Sequence, residues 1–145
     1  MVLAGVENVV NESVSCPEGW FQLDCRCFHY VSTPMSWGKA ELNCLSMGAN
    51  LASVHNMQEN TEFQRQVVAA THEYDDTWIG GFNVQKEKVW LWSDGSHFDH
   101  KNWCPGEPNN AQGSQHCLLI TFGDLTCWDD YQCGSFHPSL CAKKA

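Results

Sequence analysis

Polar and apolar positions change rhythm near His72. Upstream, apolar residues recur at helical spacing. Ser36 stands before a stretch in which Trp37, Ala40, Cys44 and Leu45 fall near one face, and Gly48 follows it. That pattern predicts a helix capped by Ser36 and ending at about Met47. Asn56 with Glu59 makes a capping box for a second helix that turns Phe63, Val67 and Val68 inward. Downstream, short apolar runs are cut by turn formers. Trp78-Ile79-Gly80-Gly81, Val89-Trp90-Leu91-Trp92, Cys117-Leu118-Leu119-Ile120-Thr121, Leu125-Thr126-Cys127-Trp128 and Leu140-Cys141-Ala142 predict short strands. Cys16 through Tyr30 reads as a hairpin. Between Asp94 and Gln115 the chain is rich in Gly, Pro, Asn and Trp, the composition of a long functional or stapled loop. Helices first and strands afterwards predict an α+β domain.

Composition narrows the setting. A chain of 145 residues with 43% apolar content suits one domain with a real core. Nine cysteines exceed what a reduced cytosolic protein keeps, so a secreted, extracellular protein with disulfide bonds is expected. Structural zinc is the rival use, but only Cys25-Arg26-Cys27 forms a close pair. A net charge of −9 argues against nucleic acid and anionic membrane surfaces and is compatible with cations. No apolar run reaches spanning length, so no membrane insertion is expected. Residues 1–15 read as a flexible leader and residues 16–145 as the domain. Met1 to Val6 resembles the remnant of a signal peptide or an artificial start, and Asn11-Glu12-Ser13 fits the glycosylation sequon.

Two triplets carry the candidate chemistry. Glu107-Pro108-Asn109 and Trp128-Asp129-Asp130 each offer side-chain oxygens from a loop, and Cys117 and Cys133 sit where they could tie those loops together. Oxygen-rich loops suit a hard cation. No nucleophile stands beside a base, and the hydrolase, zinc-protease and phosphate-loop motifs are missing, so no enzyme is expected.

Taken in order, these markers resemble the C-type lectin-like domain. The resemblance runs from Cys16 to Cys141 and rests on the hairpin cysteines, the Trp37/Ala40/Cys44 helix, Trp78-Ile79-Gly80-Gly81 and the two triplets with their flanking cysteines. It is closest to secreted fish lectins of the ladderlectin type and to type II fish antifreeze proteins. The fold it implies has two helices, short antiparallel sheets and a long disulfide-stapled calcium-binding loop region. It implies disulfides Cys16–Cys27, Cys44–Cys141, Cys104–Cys127 and Cys117–Cys133, and leaves Cys25 unpaired. The Cys25 thiol would then either link two chains into an oligomer or sit capped. In the idealised chain-entropy account the long Cys44–Cys141 closure is worth about 4–5 kcal/mol.

The same resemblance implies Ca2+ held by Glu107, Asn109, Gln115, Asp129 and Asp130. Gln115 stands where the family usually has Glu, and Asp129 where it usually has Asn. The two departures cancel in charge: three carboxylates and two amides remain. Sugar hydroxyls would bond Glu107 with Asn109 and Gln115 with Asp129, each pair offering one acceptor and one donor. The Glu-Pro-Asn triplet implies mannose-type glycans, and a fish lectin implies innate defence against microbial surface sugars. A cis bond before Pro108 would turn both neighbours toward one ion. A second cation position would use Asn83, Glu87, Asn110, Gln115 and His116, and with one carboxylate it is expected to be empty. The alternative function is ice binding on the same scaffold, though Thr33, Thr61, Thr71, Thr77, Thr121 and Thr126 show no regular spacing. Trp37, Trp78, Trp90, Trp92 and Trp128 are expected in packing roles, with Trp103 either packing or stacking on a sugar.

Overall fold

The computed structural model describes residues 15–73, 75–84, 89–109, 115–123 and 125–145. Residues 1–14 of the leader, with the Asn11 sequon, and also Glu87 and Asn110 lie outside the described residues. In chain order the elements are β1 (Phe21–Leu23), β2 (Arg26–Met35), α1 (Trp37–Ser46), β3 (Asn50–Leu51), α2 (Met57–Thr71), β4 (Thr77–Val84), β5 (Val89–Trp92), β6 (Gln115–Thr121), β7 (Cys127–Gln132) and β8 (His137–Lys144).

The helix ends follow local chemistry. Ser36 is extended and its side chain accepts from the Lys39 amide, while Gly48 takes the left-handed turn (φ 72°) that a side chain would resist. Asn56 caps α2 by accepting from the Glu59 amide at 2.9 Å. The capping box is altered, however. Glu59 reaches past Asn56 to the His55 amide (2.7 Å) and pairs with Arg26 on β2 (2.7 Å). The expected inward faces also need correction. Ala40 and Cys44 are buried on α1, but Leu45 is half exposed. On α2, Phe63 and Val67 are buried and Val68 only partly.

The strands join one sheet rather than separate small ones. Its path is β1-β2-β8-β4-β6-β7, with β3 on β8 and β5 on β4. Pairing is antiparallel except where β4 meets β8 in parallel at Trp78 and Ser139. Alternation along the strands sends neighbours to opposite faces. Ile79, Leu118, Ile120 and Trp128 pack with Phe28, Phe63 and Trp92, while Trp78, Leu119 and Cys141 pack with Ala40, Cys44 and Leu51. Gly81 allows this packing: a Cβ there would lie 2.5 Å from Leu118 Cδ2. Two buried indoles find partners where α2 and β2 approach. Trp128 Nε1 donates to Asn60 Oδ1 (3.2 Å) and Trp78 Nε1 to the Met35 carbonyl (2.9 Å).

Four disulfides brace this frame: Cys16–Cys27, Cys44–Cys141, Cys104–Cys127 and Cys117–Cys133. Cys25 is an exposed free thiol in the β1–β2 turn. Strand β7 has its outer edge covered by the long loop. The Trp128 amide donates to the Asn102 carbonyl and the Cys104 amide to the Trp128 carbonyl, both at 2.8 Å. That register, together with Cys104–Cys127, brings residues 107–109 against Asp129 and Asp130.

Candidate cation and ligand site

Strand β7 supplies the first part of the site. Alternation turns Asp130 with Trp128 toward one side and Asp129 toward the other. Asp130 is fully buried and Asp129 partly so. The loop supplies the second part. A cis bond joins Glu107 to Pro108, and the Asn109 amide donates to Glu107 Oε1 (3.1 Å) and Asp130 Oδ1 (3.2 Å). Asn109 Nδ2 donates to Glu107 Oε2 at 3.2 Å. One carboxylate oxygen from each of Glu107, Asp129 and Asp130 lies within 4.8 Å of the others.

Two of these carboxyls, on Glu107 and Asp129, resist ionisation. Burial, the adjoining Asp130 and the Asp129 charge push the Glu107 carboxyl up to about 7. Asp129 is raised as well, first by burial and then by the charges of Asp130 and Asp76. Among the described residues no basic side chain pairs with Glu107 or Asp129. Such a donor set fits a divalent cation, whose charge would offset both desolvation and repulsion.

Of the five side chains expected from sequence, Glu107, Asn109, Asp129 and Asp130 stand together. Gln115 opens the neighbouring strand β6, opposite Gln132 on β7, with an irregular register before Cys117. Of the second cation position, Asn83 lies on β4 and His116 on β6, while Glu87 and Asn110 fall outside the described residues. Sequence reasoning passed over Asp76, Tyr131 and His137. The two-residue step from Asp129 along β7 was the signal that could have found Tyr131.

The C-type lectin domain model matches residues 33–143. The chain belongs to the C-type lectin family. It is 48% identical over 124 residues to ladderlectin of Oncorhynchus mykiss, covering 86% of this chain and 65% of ladderlectin. It therefore spans somewhat under two thirds of that relative's length. It is 38% identical to the galactose-specific lectin nattectin of Thalassophryne nattereri, covering 89% of this chain and 80% of nattectin. The structure of a calcium-independent type II antifreeze protein superposes with a TM-score of 0.80 at 37% identity, covering 90% of this chain and 95% of that one. Membership in this family makes the chain a binding domain and not an enzyme. No helix among the described residues is long and apolar enough to cross a membrane.

Proposed function

We propose that this C-type lectin is a secreted, calcium-dependent receptor for mannose-type glycans on microbial surfaces. The observation that carries the reading is the meeting of Glu107, Asp129 and Asp130, with Asn109 bonded to two of them. Calcium held there would supply coordination positions for two vicinal sugar hydroxyls. Glu107 and Asp129 then accept from those hydroxyls, and the amides of Asn109 and Gln115 donate to them. Exchange of amide and acid between Gln115 and Asp129 keeps both pairs complementary. Four disulfides and the likeness to secreted fish proteins support an extracellular setting. Through its exposed thiol, Cys25 is the proposed link to a second chain.

The test is a glycan array with calcium and then with chelator. Calcium-dependent binding to mannose over galactose is expected. Galactose preference would overturn the specificity, a live contrast given nattectin's name. Binding that survives chelation would overturn the cation. Within the site, Asp129→Asn leaves two amides facing one hydroxyl and should weaken sugar binding about tenfold. A variant as good as the parent would refute the exchange.

Ice binding is the second reading, favoured by the likeness to the calcium-independent antifreeze structure. Thermal hysteresis measured with and without calcium separates the two.

A further inference from the structure

Beyond Asp129 the sheet carries side chains that the cation site does not use. Strand alternation places Tyr131 on the Asp129 face of β7, and the residue is 37% exposed. Tyr131 meets the His137 ring edge-to-face at 5.4 Å, and His137 meets Trp78 in the same way at 5.0 Å. His137 Nε2 lies 3.2 Å from Ser135 Oγ. Asp76, one residue before β4 and two before Trp78, falls on the Trp78–His137 side of the sheet by the same alternation and completes the group. The result is an aromatic wall with a carboxylate, an imidazole and a hydroxyl, continuous with the face that presents Asp129.

A hexose ring has one face of C–H groups and a rim of hydroxyls. The apolar face packs on exposed aromatic rings, and the hydroxyls need donors and acceptors in the sheet plane. Tyr131 offers the ring; Asp76, His137 and Ser135 offer the polar partners. Packing alone does not require this exposure, because Tyr131 lies outside both core clusters.

We propose that Tyr131, His137 and Asp76 form a subsite for the second sugar of a glycan whose first sugar sits at the cation. The inference rests on the lectin reading above. Its consequence is a preference for oligosaccharide over monosaccharide, set by the wall and not by the metal. The sugar next to the terminal mannose stacks on Tyr131, and its hydroxyls are read by Asp76 and His137.

The experiment compares mannose with a mannose disaccharide by titration calorimetry in millimolar calcium. The parent protein should bind the disaccharide about tenfold more tightly, the scale of one good stacking contact. Tyr131→Ala should cut that ratio to about twofold, Tyr131→Phe should retain it, and His137→Ala should lower it partway. Phe136→Ser, an exposed aromatic next in sequence to the wall, serves as a control and should keep the full ratio. Equal affinities for the two sugars in the parent, or an intact ratio in Tyr131→Ala, would overturn the subsite alone. Loss of calcium-dependent mannose binding in the parent would instead overturn the cation reading and the subsite with it.

Discussion

Two groups of carboxylates in this domain meet opposite surroundings. Around Arg26, each acid finds donors. Glu59 takes the Arg26 guanidinium and the His55 amide, both at 2.7 Å. Asp94 accepts from Ser53 (2.6 Å) and twice from Ser96. Burial alone would raise Asp94, but those hydrogen bonds and the Arg26 charge outweigh it and hold the carboxyl below its usual range. At the end of the long loop, Glu107 and Asp129 confront other acids and are driven upward. The first group holds β2, the start of α2 and the 93–96 turn together. The second stores unfavourable electrostatics that a cation would release. Acids that are satisfied internally read as scaffold; acids set against one another read as a binding site.

The largest break in the comparison should come from the scaffold. Glu59→Ala leaves Arg26 partly buried without its partner and should cost about 3–5 kcal/mol in denaturant unfolding. Glu107→Gln should act in the opposite sense on the metal-free protein, raising its melting temperature by a few degrees, on the order of 2–4 °C, because it relieves repulsion. The same change should weaken calcium roughly a hundredfold in a direct titration. A Glu107→Gln protein that melted lower without metal would erase the contrast.

The pH response should also divide the two regions. The folded state holds the Glu107 proton more tightly than the unfolded chain, with a carboxyl near 7 against an ordinary 4.5. Metal-free stability from this group should therefore be greatest below about 4.5 and decline as pH rises toward about 7. Saturating calcium should abolish that decline. Asp94 works in reverse: its contribution is present above its ordinary value of 3.8 and is lost as acid protonates it. Melting curves from pH 4 to 8, with calcium and with chelator, check the first claim. The smallest effect is expected from Ser96→Ala, which should cost about 1 kcal/mol and leave calcium affinity untouched.

What could be read from sequence follows the range of the interactions. Helix caps are local, so Ser36, Gly48 and Asn56 were legible from their neighbours. Glu59 was only half legible, because Arg26 lies 33 residues away in the chain. Leu45 shows the limit of periodicity: α1 buries only the narrow Ala40/Cys44 stripe, and the next position turns to solvent. Leu125, expected in a strand, is 61% exposed, and β7 begins only at Cys127. The two-residue β3 has no pattern long enough to read. Glu107, Asn109, Asp129 and Asp130 could be grouped beforehand through the family resemblance. Their mutual repulsion could not, since it depends on the loop lying along the edge of β7. Asp76 and His137 remained hidden because their nearness to β7 arises from strand order.

The central claim is that the Glu107, Asp129 and Asp130 carboxylates hold a divalent cation. Calorimetric titration of calcium into metal-free protein at pH 7, in two buffers of different ionisation heat, tests it most directly. Saturable one-to-one binding is predicted, with a dissociation constant on the order of 10⁻⁴–10⁻³ M. Because Glu107 is pushed up to about 7, binding should release about half a proton, seen as a buffer-dependent heat. No heat at millimolar calcium, or binding whose heat is the same in both buffers, would contradict the account.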